Sequence, residues 1–209
     1  MINKTELDKI LNVIPGYYEP KKLAHALSVE RECAALADIY GMSCDDTLRL
    51  RAAALLHDIT KRLIHTEQLE YCRANGIPFT EDETHMPKIF HARTGAHLAR
   101  KLFPALVDDE MYDAIYYHTT AKPAMSLMCS LLYLADYIEP TRKFTDCVKL
   151  RGEFYGLLES RDKFEALNIA LITSFNLTLT DLVAENGSIH VDIIEARNYY
   201  MQLTKGENI

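Results

Sequence analysis

Ala52-Ala53-Ala54-Leu55-Leu56-His57-Asp58-Ile59-Thr60-Lys61 sets an imidazole and a carboxyl side by side at the end of an otherwise apolar stretch. Five apolar residues in succession cannot all face water on a helix, so this segment reads as a central, buried helix. A charged carboxylate beside a buried imidazole is costly unless something compensates it. A divalent metal compensates both, because neutral imidazole and carboxylate are natural ligands. A helix C-terminus, with His57 on the dipole and Asp58 in water, also accounts for the dipeptide taken alone.

Outward from that run, helical patterns recur from end to end without convincing strand alternation. Leu23, Ala26, Leu27, Ala34 and Ala37 mark one face of a helix from about Lys21 to Tyr40, closed by Gly41. Asp45 or Asp46 caps the helix that reaches His57. Further helices are expected over 66–75, 86–102, from Asp108 or Asp109 to about His118, from Pro123 to Ile138, over 161–183 and roughly 190–203. The expectation is an all-α fold, one helical bundle over 1–209, with a metal-binding core at about 20–142 and C-terminal helices at about 143–205.

The composition is that of a soluble globular chain: 209 residues, 48% hydrophobic and 25% charged. Met1 to Ile10 does not read as a signal peptide. The most apolar stretch, Leu127 to Ala135, is too short to span a bilayer. A cytoplasmic protein with no membrane partner is expected. The five cysteines are scattered without a CxxC pair and read as buried small hydrophobes. A net charge of −7 argues against a nucleic-acid polymer as partner, but not against an anionic small molecule.

Other ligand-type residues border apolar faces in the same way. His25 precedes Ala26-Leu27, and Asp136 ends the run Leu131-Leu132-Tyr133-Leu134-Ala135. His91 and His118 each follow apolar or aromatic residues. Four imidazoles and two carboxylates are too many for one tetrahedral ion. They suit two ions that share a bridging carboxylate and keep open positions for water and substrate. His65 and His85 read as exposed residues, His190, close to the start of the last helix, as a surface or capping residue, and His97, six positions after His91, is left out of the set.

The spacing of His25, His57-Asp58 and Asp136 resembles the HD-domain signature, in which those four residues bind metal. "LLHDITK" (55–61), "HARTGA" (91–96), "HTT" (118–120), "ADYIEPTR" (135–142) and "IEARNYY" (194–200) are similar to the YqeK family of HD-domain proteins. That family comprises symmetrical bis(5′-nucleosyl)-tetraphosphatases. The resemblance implies hydrolysis of diadenosine tetraphosphate to two ADP at a two-metal centre, usually iron, with manganese, cobalt or magnesium as alternatives. It also implies that His25, His57, Asp58 and Asp136 bind one ion, and that Asp58 bridges to a second ion held by His91 and His118. A homodimer is compatible with it.

Lys61 and Arg142 recur in the family-like motifs and are the candidate phosphate ligands, Arg142 by bidentate contact. Thr119 is a third candidate donor. The shared metal core also fits an HD phosphohydrolase for another nucleotide, or a non-catalytic nucleotide sensor.

Overall fold

In the computed structural model, which describes residues 4–204, every regular element is helical. The helices are α1 (Lys4–Val13), α2 (Pro20–Tyr40), α3 (Cys44–Leu56), α4 (His65–Asn75), α5 (Pro87–Leu102), α6 (Asp109–Tyr116), α7 (Leu127–Ile138), α8 (Thr145–Ser160), α9 (Lys163–Ala184) and α10 (Val191–Thr204). Ala52 to Leu56 are fully buried, as their unbroken apolarity demands. α3 is the hub: α1, α2, α5, α6 and α7 all pack on it. Truncating Leu55 to Ala there would cost about 2–5 kcal/mol.

Local chemistry sets most of the boundaries. Ser43 caps α3 by accepting from the Asp46 amide, two or three residues before the expected cap, so Asp45 and Asp46 lie in the first turn. Gly41 closes α2 at φ +68°, a left-handed conformation that suits glycine. α7 begins at Leu127, capped by Ser126, and not at Pro123. The intervening loop holds Ala121 and Ala124 at positive φ, which breaks the helix. α1 and α8 had no individual counterpart in the expectation. Leu7 and Ile10 anchor α1, and Cys147, Leu150 and Phe154 anchor α8.

α9 is long and apolar enough to cross a membrane by length and composition alone. In the structure it packs on α7, α8 and α10, burying Leu167, Leu171 and Phe175 among them. One apolar cluster draws residues from every helix except α4. A smaller one under α4 contains Cys72, Ile77, Ile89 and Phe90.

Candidate metal centre

Five segments converge on one polar point inside the bundle. α2 brings His25, the turn after α3 brings His57 and Asp58, α5 brings His91, the turn after α6 brings His118, and α7 brings Asp136. A close approach makes this possible. A Cβ on Gly95 would stand 3.1 Å from the His57 carbonyl, so a side chain there would push α5 and the turn apart by a few tenths of an ångström. Thr60 Oγ1 donates to the His91 carbonyl at 2.8 Å and ties the two segments together.

The six candidate ligands named from sequence are all brought together. Asp58 is fully buried, and its two oxygens face different groups. Oδ2 lies 3.6 Å from His57 Nε2 and 3.9 Å from His25 Nε2. Oδ1 lies 3.3 Å from His91 Nε2 and 3.6 Å from His118 Nε2. Asp136 Oδ1 joins the first group, 2.9 Å from His25 Nε2 and 3.8 Å from His57 Nε2. Three overlapping triads, His25–His57–Asp58, His57–His118–Asp136 and Asp58–His91–His118, could each hold a metal ion.

The protonation pattern favours the same use. His57 Nδ1 donates to the Ala54 carbonyl at 2.7 Å, and His118 Nδ1 to the Ile115 carbonyl at 2.6 Å. A carbonyl can only accept, so both rings carry their proton on Nδ1 and turn an Nε2 lone pair inward. His25 Nδ1 meets Glu139 Oε1 at 3.0 Å, which orients the third ring alike. Burial pushes the His57 imidazole down to about 3 and the His91 imidazole, which also faces Lys61, down to about 4. Burial opposes charge on Asp58 and Asp136. The neighbouring imidazoles with Lys61, and Arg142 with His25, nonetheless hold the two carboxyls well below the usual range. Neutral imidazoles and ionised carboxylates are the forms that bind metal. His25 Nε2, His57 Nε2 and both Asp58 oxygens are buried and make no well-directed hydrogen bond. Orphaned donor atoms of this kind fit a divalent cation.

A family model for the HD domain matches residues 23–141. The chain belongs to the HD domain family. Among HD relatives, the symmetrical bis(5′-nucleosyl)-tetraphosphatase of Halalkalibacterium halodurans is 30% identical over 194 residues, 91% of this chain and 94% of that protein. The Bacillus subtilis protein of the same name is 31% identical over 175 residues, covering 84% and 87%. A crystal structure described as a predicted HD superfamily hydrolase involved in NAD metabolism, from Clostridium acetobutylicum, superposes with a TM-score of 0.81. It is 32% identical and the match covers 94% of this chain and 97% of that one.

The candidate phosphate ligands are placed less uniformly around the HD centre. Lys61 and Arg142 both line a cavity of about 650 Å³ that reaches His25. Lys61 Nζ is 3.0 Å from Asp58 Oδ1. Arg142 already uses Nε on the Asp136 carbonyl at 2.5 Å and Nη2 on Asp136 Oδ1 at 2.7 Å. The bidentate phosphate grip expected from sequence is therefore spent on Asp136. Thr119 lines a different, largely apolar cavity of about 280 Å³ with Ile89, Tyr137 and Leu182. Glu139, which orients His25, lay inside the quoted "ADYIEPTR" motif but was not singled out.

The remaining histidines divide. His85 is exposed, as expected. His65 is half-buried against Phe90, with Nε2 on the Thr84 carbonyl, so the exposed reading was wrong there; His190 is half-buried against Glu83, and its Nδ1 accepts the Asp192 amide at the start of α10, which is the capping role. Each has an acceptor distant in the chain that its sequence neighbours do not reveal. His97 pairs with the Tyr71 hydroxyl and stays outside the cluster.

Proposed function

We propose that the chain hydrolyses dinucleoside tetraphosphates symmetrically, taking diadenosine tetraphosphate to two ADP. The relatives so named, aligned over most of their length, support this reading. The observation that carries the chemistry is the division of Asp58, one oxygen toward His25 and His57 and the other toward His91 and His118. On this reading His25, His57, Asp58 and Asp136 hold one ion, and Asp58, His91 and His118 hold a second. The resemblance to the YqeK family implies iron, with manganese, cobalt or magnesium as alternatives, and imidazole with carboxylate is compatible with it. Such an ion pair, when bound, supplies an acidified water and neutralises phosphate charge.

The chain's own residues do the rest. Glu139, the Ala54 carbonyl and the Ile115 carbonyl fix the rings of His25, His57 and His118. Arg142 fixes Asp136 and keeps only Nη1 for a phosphate oxygen. Lys61, beside Asp58, offers charge to the phosphoryl group under attack, whereas the Thr119 hydroxyl is buried at the other cavity and is assigned no phosphate contact. Water oxygen bonds to one of the two central phosphorus atoms, the bridging P–O bond between them breaks, and ADP departs. A diphosphate end is a good leaving group, so catalysis rests on positioning and charge neutralisation.

Chromatography of the first products from diadenosine tetraphosphate tests the reading. Two ADP are expected. ATP and AMP in equal amounts would refute symmetrical cleavage, and turnover of only a different nucleotide would move the chain to another HD phosphohydrolase activity.

A further inference from the structure

The cavity beside the metal centre contains two features that neither the ligand cluster nor the family motifs account for. Lys22, on the exposed face of α2, lines this cavity with Lys61 and Arg142 and also lines the adjoining one that reaches Asp58. Of the other cations on its wall, Lys61 is committed to Asp58 at 3.0 Å and Arg142 to Asp136 at 2.7 Å, while Lys21 and Lys143 form no ion pair among the described residues and do not reach the adjoining cavity. Lys22 has no ion-pair partner among the described residues. Its ammonium pKa is drawn down by partial burial and by the nearby Lys61 and Arg142. The one carboxylate that lines the larger cavity, Glu139, is taken up by His25 and Thr141. A chain of net charge −7 thus concentrates positive charge at the mouth of its buried His/Asp cluster, and of the three cations there without an ion pair among the described residues, Lys21, Lys22 and Lys143, only Lys22 lines both cavities.

Phe144 is the second feature. It stands at the N-cap of α8 with 72% of its surface exposed, on the wall of the same cavity. An exposed aromatic ring beside cations is the arrangement that receives a nucleotide: the cations take phosphate and the ring takes the base face.

We propose that Lys22 and Phe144 form a nucleotide subsite beside the metal centre, Lys22 binding a phosphate and Phe144 stacking the base. The proposal rests on the nucleotide reading above and adds where one half of the substrate lies.

The chain contains no tryptophan, so Phe144→Trp gives a single fluorescent reporter at the wall of the cavity. With the metal-loaded protein, ADP should quench that emission and inorganic pyrophosphate should not. By calorimetry, Phe144→Ala should weaken ADP binding about tenfold and leave pyrophosphate unchanged. Lys22→Gln should weaken both, also about tenfold. Both positions are exposed, so the variants should fold. ADP binding to the wild type with silent Phe144→Trp emission would overturn the subsite alone. Emission that follows protein concentration and ignores ADP would assign Phe144 to contact with a second copy, and would also overturn it. Absence of ADP binding to the wild type would overturn the nucleotide reading and the subsite together.

Discussion

Two clusters in this molecule combine histidine, carboxylate and base, and they differ in what is left over. At the first, Asp58 is ringed by His25, His57, His91 and His118, yet neither of its oxygens makes a well-directed hydrogen bond. At the second, Glu83 Oε1 accepts from Arg93 at 2.5 Å and from His190 Nε2 at 2.8 Å, while Oε2 accepts the Thr80 amide at 2.6 Å. His190 Nδ1 in turn accepts the Asp192 amide, and Arg93 lies over the Phe90 and Tyr116 rings. The Glu83 cluster is closed: its donors meet its acceptors, and it pins the segment before α5 to the start of α10. The Asp58 cluster is open, with lone pairs facing one another. Residue types alone do not separate a site from a structural cluster; the unmet bonding capacity does.

Substitutions should separate the two clusters most sharply at Asp58. Asp58→Ala is expected to abolish turnover and lower bound metal, whereas Asp136→Ala should chiefly weaken one of two ions. Metal analysis and activity on the same preparations check both, and unchanged metal and turnover in Asp58→Ala would remove the distinction altogether. Next come the cations. Lys61→Ala should keep the metals and lower kcat/KM by roughly 10²- to 10³-fold. Arg142→Ala should lower kcat/KM comparably and also weaken metal binding by roughly 10- to 100-fold, because it holds Asp136. Equal metal affinity in the two variants would deny Arg142 that positioning role.

The closed cluster should respond in stability and not in turnover. Glu83→Ala leaves Arg93 buried without its partner and should cost about 3 kcal/mol, with kcat of the metal-loaded enzyme nearly unchanged. The sign of the pH dependence follows from Glu83. Burial opposes its charge, but Arg93 and His190 hold it at about 2, below the ordinary 4.5. A depressed carboxyl stabilises above its unfolded value and loses that contribution as pH falls from about 4.5 toward 2. The Tm gap between wild type and Glu83→Ala should therefore be full near neutrality and shrink across that acid window. His190→Ala is the smallest effect, about 1 kcal/mol, and a severe loss of activity there would mean the closed cluster takes part in catalysis.

Much of this was legible before any coordinates. The apolar run into His57-Asp58 placed α3 at the centre because nothing else can bury five consecutive apolar residues. His25, His91, His118 and Asp136 were recognisable because each borders an apolar face. What escaped depends on partners distant in the chain. Glu139 serves His25 across 114 residues, Lys22 matters because Lys61 and Arg142 are already paired, and the ring of Phe144 has meaning only beside the cavity. The late start of α7 follows from alanines at positive φ, a conformation that alanine does not advertise. Cys147, Leu150 and Phe154 do carry helical spacing, and α8 could have been read from them.

Anomalous diffraction from crystals of the metal-loaded protein tests the central claim most directly. Two metal peaks roughly 3.5–4 Å apart are predicted, one bound by Asp58 Oδ2 with His25, His57 and Asp136, the other by Asp58 Oδ1 with His91 and His118. A single peak, or two peaks with Asp58 bound to only one of them, would contradict the bridging role of Asp58.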